Sequence, residues 1–188
     1  MNSSPGSFPR LNRMTGWVLF VISSLVYLLT LEPTVSFWDC GEFILSSFRL
    51  QVGHPPGAPL FLMIGRIATF FALGDTSKVA FMMNAFSAIS SGFTIMFLFW
   101  TITHLVRKVY SDEDGNENRH LPVILGSGII GALAYTFSDT FWFSAVEGEL
   151  YALSSLVTGI VFWAMLKWEE EADDPLSGRW IILIFYIM

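Results

Sequence analysis

Cysteine, histidine and charge are all scarce in this chain of 188 residues, which has one cysteine, three histidines and ten lysines and arginines together. A single thiol, Cys40, excludes an intrachain disulfide. The few Cys and His residues stand at no metal-ligand spacing, so a structural zinc site is excluded and a metal centre is not expected from them. Ten cations spread along the chain form no basic stripe, and no nucleic-acid partner is expected. No internal repeat and no stretch of soluble-domain composition occurs.

What replaces charge is apolar surface: 53% of the residues are hydrophobic and 16% aromatic, more than one soluble core can hide. The composition is that of an integral membrane protein. Residues 14–31, "MTGWVLFVISSLVYLLTL", carry no charge and as a helix nearly match a hydrocarbon layer of roughly 30 Å. Arg10 and Arg13 precede this run as they would in a secretory signal, but "TLEPTVSF" offers no small-x-small cleavage pattern, so the run reads as an uncleaved anchor. The net charge of -6 comes largely from two short acidic stretches, "SDEDGNEN" (111–118) and "EEEADD" (169–174), which read as solvated connections.

Further apolar segments cover 57–74, 79–106, 121–138, 150–166 and 180–188. Positively charged short loops stay on the cytoplasmic side, which decides between two topologies. With 57–74 flat on the outer surface, Arg10, Arg13, Arg107, Lys108, Arg119, Lys167 and Arg179 are inside, and only Arg49, Arg66 and Lys78 are outside. If 57–74 crosses, that bias reverses and Arg66 lies at bilayer depth, at a cost of at least about 2.5 kcal/mol. The expected fold is therefore an all-α, polytopic membrane protein with spans near 14–31, 79–106, 121–139 and 148–166 and a fifth starting at Trp180. Residues 32–78 form a large first outer loop with two interfacial helices, 37–50 and 60–73, joined by a turn. The run beginning at Trp180 is cut short at Met188, so residues 1–188 are expected to be the N-terminal part of one longer transmembrane domain.

Two polar groups fall on the expected outer side. At about 100° per residue Asp39, Glu42, Ser46 and Arg49 share one quadrant of a helix whose far side holds Ile44, Leu45 and Phe48. The plain alternative is an interfacial helix showing its polar face to water. "GHPPG" (53–57) fixes φ twice in succession and forbids helix at His54 and Pro55, so a sharp, rigid turn holds that helix in place, with His54 able to cap it. The second group is Asp139, Glu147 and Glu149, ringed by Phe137, Phe141, Trp142 and Phe143. These acids read either as solvated entrance residues or as partly desolvated groups suited to proton handling. On a helical wheel Glu147 and Tyr151 share a face and Glu149 points away. Asn84, Ser87, Ser90 and Ser91, and the glycines Gly126, Gly128 and Gly131, read as helix-packing positions.

"WDCGEF", "GHPPGAPLFLMIGRIA" and "FWFSAVEGELYALSSL" together resemble a membrane family of unknown function, number 2723, common in Bacteroidetes. That family is similar to the animal transmembrane protein O-mannosyltransferases and, more distantly, to the GT-C glycosyltransferases, which take sugars from polyprenyl phosphates. The resemblance implies a GT-C-like helix bundle in a bacterial inner membrane, with a cytoplasmic N-terminus and an active site on the periplasmic side. It implies a lipid-linked sugar donor, a protein or glycan acceptor, and Asp39 as the essential first-loop acid with Glu42 beside it. His54, Pro55, Pro56 and Gly57 match its HPPG motif, and Glu149 with Tyr151 match a recurrent Glu-x-Tyr. In such a reaction Asp39 takes the proton of the attacking hydroxyl while Glu42 orients the acceptor. Arg49 and Arg66 are the cations available to the departing phosphate, Lys78 a weaker one. The polyprenyl-phosphate sugar is the donor substrate, no cofactor is assigned beside it, and two acids could hold one divalent ion, which leaves metal dependence open. A secondary transporter binding a cation through Asp139, Glu147 and Glu149, or a non-catalytic envelope scaffold, are the alternatives; the first predicts acids near mid-membrane.

Overall fold

The computed structural model describes residues 7–55, 57–114, 117–174 and 176–187; Pro56 of the turn, Met188 and the side chains of 111–119 lie outside them. Among the described residues every regular element is helical: α1 (Ser7–Leu29), α2 (Cys40–Arg49), α3 (Pro59–Phe70), a single 3-10 turn (Thr76–Lys78), α4 (Val79–Asp114), α5 (Glu117–Thr136), α6 (Asp139–Ala145), α7 (Leu150–Glu170) and α8 (Gly178–Ile187). This is the all-α membrane architecture expected from composition.

Three helices are long and apolar enough to cross a membrane, over Phe8–Leu29, Thr76–Tyr110 and Leu150–Glu170. A fourth crossing requires α5 and α6 together, and these are bent by 68° at their junction. The expected third span thus ends early, and Asp139–Ala145, expected as connection, is a helix of its own. The cause is local: Phe137 and Ser138 close the end of α5 by donating to Leu133 and Tyr135, and Ser138 then turns extended to start α6. The chain also leaves helix from Val146 to Glu149, so α7 begins at Leu150 and not at 148. α3, at 12 residues, is about 18 Å long and too short to span.

The loop helices are shorter than expected, for reasons the backbone shows. α2 stops at Arg49 because Leu50 turns left-handed (φ 51°) and donates back to Ser46 and Ser47. α3 starts where Gly57 (φ 93°) reverses the chain and Pro59 supplies a first-turn residue with no N–H to satisfy. Asp75 accepts from Ser77 N at 3.0 Å and starts the turn that leads into α4.

α4 is the central helix, packed against α1, α5 and α7. Lipid supplies no hydrophobic drive between helices, so close approach of small residues does the work. A Cβ at Gly128 would meet Phe99 and Thr103 of α4, and one at Gly131 would meet Ile102, as expected of packing glycines; Gly126 faces open space. Tyr27 of α1 is fully buried and donates to the carbonyl of Thr136 at 2.9 Å, tying α1 to the end of α5.

The two ends of the bundle carry different groups. At one end Lys108 pairs with Glu169, Arg107 lies 3.6 Å from Glu170 and the guanidinium of Arg107 sits over Phe8. The other end carries residues 32–78 and the loop between α6 and α7, joined by Glu32 N donating to Val146 O at 3.3 Å.

Gly65 joins α3 to that end: a Cβ there would lie 2.7 Å from Ser47 Oγ of α2 and 2.8 Å from Met83 Cε of α4. Gly65→Val is expected to destabilise the detergent-solubilised protein by about 1–3 kcal/mol, read as a lowered thermal midpoint, while Gly126→Ala leaves the midpoint in place. An unmoved midpoint for Gly65→Val would show that the three helices do not meet as described.

Candidate active site

Trp38 is held left-handed at φ 61°, which sets the entry to α2. Asp39 follows at the N-cap position, where its carbonyl accepts the first helical bond from Phe43 N at 3.0 Å. Its carboxylate makes no capping hydrogen bond and is exposed.

The chain reverses at Leu50 and returns alongside α2, so that His54 reaches Glu42 across 12 residues of sequence. The backbone N–H of His54 donates to Glu42 Oε1 at 2.6 Å, and Nδ1 of its ring lies 3.0 Å from Oε2. Glu42 thus grips both the backbone and the ring of His54. Gly53 permits this grip, since a Cβ there would stand 3.2 Å from Glu42 Oε1. The other ring nitrogen, Nε2, faces Asp39 Oδ2 at 3.9 Å, an ion-pair distance too long for a direct hydrogen bond. The rigid turn and the acid helix are therefore locked through a Glu42–His54 clamp. Two hydrogen bonds from His54 hold the Glu42 carboxyl below the usual carboxylate range, and Glu42, with a smaller contribution from Asp39, pushes the His54 imidazole up.

The expected polar face of four residues is not what α2 presents. Ser46 is buried, while Leu45, expected on the apolar side, is exposed. Arg49 lies in the last turn, about 15 Å along the helix axis from Asp39. Arg66 donates to the carbonyl of Phe48 and lies over the rings of Phe48 and Phe70, at 5.3 and 4.8 Å. It is a clasp between α3 and the end of α2, so neither arginine is placed beside Asp39.

A second pair of acids lies in the loop before α7, where Glu149 feels the charge of Asp39. Glu147 and Glu149 are 3% and 6% exposed, which overturns their reading as solvated entrance residues. The helical-wheel separation of the two fails as well, because Glu149 is extended (φ -115°, ψ 168°) and precedes α7. Burial raises both carboxyl groups above their ordinary range; Ser36 partly offsets this at Glu147, whereas the charges of Glu147 and Asp39 add to it at Glu149. Both acids act on Cys40, whose buried thiol is pushed up by desolvation and is no nucleophile. Tyr151 is exposed and lines a groove on α7 with Tyr135 and Thr158, and Asp139 is exposed at the start of α6.

Asn84 had read as a packing residue. It is fully buried, and its amide nitrogen donates to the carbonyls of Glu32 at 2.7 Å and Thr34 at 2.9 Å. Gly148 packs directly on it: a Cβ at that position would lie 2.9 Å from Asn84 Oδ1. The sequence signal was a lone amide near the start of an apolar run, where a polar group needs a partner.

Asp39, Glu42 and His54 each offer a ligand atom, all within 4.8 Å of one another, so the three could also hold a metal ion. Otherwise the site sets an exposed carboxylate beside an imidazole whose pKa is raised, with two buried carboxyl groups, also raised, in the loop before α7.

The model of the protein O-mannosyl-transferase TMEM260 N-terminal domain matches residues 39–188, starting at Asp39 and running through the clamp and the buried acids. The chain belongs to this family. The protein O-mannosyl-transferase tmem260 of Dictyostelium discoideum is 26% identical over 146 residues, which is 78% of this chain and 16% of the relative. The protein O-mannosyl-transferase TMEM260 of Mus musculus is 27% identical over 153 residues, 81% of this chain and 19% of the relative. The chain therefore spans less than a fifth of the length of these curated relatives. No solved structure matches it. The O-mannosyltransferase side of the resemblance carried by "WDCGEF", "GHPPG" and "EGELY" is borne out.

For this TMEM260-type site the clamp sets a pH window. The stability that His54 contributes is complete below its unfolded value of 6.5 and is lost as pH rises through its raised folded value; that of Glu42 is complete above 4.5 and is lost as pH falls through its lowered one. NMR titration is expected to show His54 protonating above pH 6.5 and returning toward that value in Glu42→Gln; the same midpoint in both proteins would break the clamp. Glu149 has the opposite linkage, since a raised carboxyl pKa costs stability once pH exceeds 4.5. Glu149→Gln is expected to raise the thermal midpoint at pH 8 relative to its effect at pH 4, and an equal effect at both would contradict the buried assignment.

Proposed function

We propose that this chain is the N-terminal part of a GT-C-type glycosyltransferase that moves a hexose such as mannose from a polyprenyl-phosphate carrier to a hydroxyl of a protein or glycan. The observation that carries this reading is the exposed Asp39 carboxylate held 3.9 Å from the ring of His54, itself gripped by Glu42. The family match supports the same class of chemistry.

In this mechanism Asp39 accepts the proton of a Ser or Thr hydroxyl as that oxygen bonds to the anomeric carbon. The bond from that carbon to the phosphate oxygen breaks, the phosphate leaves with the electron pair, and the anomeric centre inverts. A hydroxyl is far less acidic than a carboxylic acid, so proton transfer is late and geometry matters more than a shifted pKa. Glu42 acts through His54: it holds the imidazole in place and favours its protonation, and the protonated ring would face the charge developing on the phosphate. His54 takes over the role read for Arg49 and Arg66, which stand toward the far end of α2. A divalent ion held by Asp39, Glu42 and His54 would supply positive charge at the same point. Glu149 closes the floor of the site, and Tyr151 opens onto a groove of about 450 Å³ between α4, α5 and α7 that suits an isoprenoid chain.

Lysines and arginines concentrate at the end opposite the clamp, among acids that count little in the rule, which favours a cytoplasmic N-terminus and an active site on the outer face, the periplasmic side of an inner membrane in a bacterium. A transporter reading loses ground because Asp139, Glu147 and Glu149 all precede or flank helix ends and none lies within α7.

Asp39→Asn in the full-length protein is expected to leave folding and insertion intact and to cut transfer from a labelled polyprenyl-phosphate sugar by on the order of a hundredfold or more. Glu42→Gln should lower it less, by releasing His54. Near-full transfer by Asp39→Asn would remove the base from this loop.

A further inference from the structure

Among the described residues four that are not glycine hold left-handed backbones, and three of them serve a helix end. Leu50 donates back to Ser46 and Ser47 of α2, Leu73 donates to Phe70 at the end of α3, and Ala58 accepts from Leu62 N at 3.1 Å where α3 begins. Trp38, at φ 61°, makes no such backbone bond among the described residues.

Its side chain does not account for the conformation either. Trp38 is 87% exposed, and its indole meets no other ring and no cation among the described residues. Trp17, Trp100, Trp142, Trp163 and Trp180, by contrast, each pack against another ring. A bulky residue in this region is a backbone outlier, and such outliers gather at functional sites. The ring is therefore presented to something other than its own surroundings.

Its neighbour narrows what that is. Asp39 follows directly, with its carboxylate exposed and free of any cap. Consecutive Cα atoms stand about 3.8 Å apart, so a ligand the size of one sugar ring at that carboxylate lies within reach of the indole. A pyranose carries hydroxyls around its edge and C–H groups on its faces. The faces lie flat on an electron-rich aromatic ring, and the edge hydroxyls keep their water or bond to carboxylates.

We propose that the Trp38 indole is the stacking platform for the hexose of the donor and orients its anomeric carbon toward the hydroxyl at Asp39. This rests on the reading of Asp39 as the base of a sugar transfer. One rival is an aromatic anchor at the membrane interface, which needs a ring at headgroup depth but no sugar. The other is a packing residue covered by another part of the full-length protein.

The three differ in what is lost with the ring. Full-length protein in detergent, with acceptor withheld, is to be titrated with a labelled polyprenyl-phosphate hexose and, separately, with the polyprenyl phosphate that lacks the sugar. Trp38→Leu should weaken binding of the sugar donor by roughly tenfold and leave the sugar-free lipid unaffected, and Trp38→Tyr should restore most of the loss. Trp38→Gly should weaken the donor in the same way, yet keep or raise the thermal midpoint, because glycine adopts this φ without strain. Leu73→Gly, which relieves the same strain at a residue 92% exposed outside the site, should leave donor binding unchanged. Parent-like donor binding by Trp38→Leu, or equal weakening of both lipids, would overturn the platform in favour of the anchor. A lower midpoint for Trp38→Gly than for Leu73→Gly would overturn it in favour of the packing residue. Binding is read without transfer, so failure here leaves the Asp39→Asn test of the base untouched.

Discussion

Asn84 sits where a membrane helix begins, and both hydrogens of its amide are spent on the carbonyls of Glu32 and Thr34. A chain that leaves a helix at the edge of a bilayer has carbonyl groups that neither helix nor lipid can satisfy. By answering two of them, Asn84 bends the chain after α1 across the head of α4. Ser36 is thereby brought to Glu147, and Cys40 is set down on the core as the start of α2. Gly148 packs against the same amide, so one side chain fixes both loops that build the site. The junction also holds two buried acceptors with no donor among the described residues, Asn84 Oδ1 and Glu147 Oε2. A proton on Glu147, which burial favours, converts an acceptor into a donor and reduces that deficit.

The site is layered by charge. The upper layer, Asp39, Glu42 and His54, is exposed, and within it Glu42 and His54 each favour the charged form of the other. The lower layer, Glu147 and Glu149, is buried, and the charge of Asp39 is one of the forces that raises Glu149. Ionising Glu149 would set a further negative charge against those of Glu147 and Asp39, so burial and its acidic neighbours push its carboxyl in the same direction. Replacing Glu149 by its amide would mimic the neutral state, whereas replacing Asp39 removes the carboxylate that faces His54 Nε2. The two acids therefore differ in kind although both lie at the same end of the bundle.

The sequence made the spans legible because uncharged apolar runs and positively biased loops are strong signals. It also showed Asp39 and Glu42 as a pair followed by a turn that two prolines stiffen, but it read His54 as a cap of that turn, and only the fold brings its ring to both acids. Residues 146–149 were misread because a 3.6-residue period was extended through a stretch that is not helical, which put Glu147 and Glu149 on opposite faces. Arg66 was misread for a different reason: charge and side of membrane were visible, but the rings of Phe48 and Phe70 that capture it come from different helices. Asn84 lay among serines with an ordinary packing role, and only the fold shows which carbonyls it answers.

An aspartate just ahead of a helix is ordinarily a cap, worth about 1 kcal/mol through a hydrogen bond to the first-turn N–H groups. Asp39 occupies that position and makes no such bond. The left-handed Trp38 before it is a conformation that costs a non-glycine residue on the order of 1 kcal/mol or more, and it survives only where surrounding contacts fix it. The contacts are present: Phe43 bonds the Asp39 carbonyl, Cys40 is buried, and Glu42 is tied to the returning turn. The local chain thus forgoes a cap and accepts a strained residue, and the result is a carboxylate directed away from its own helix toward His54. An aspartate left free of its own backbone in this way is the arrangement that the proposed proton-accepting role of Asp39 requires.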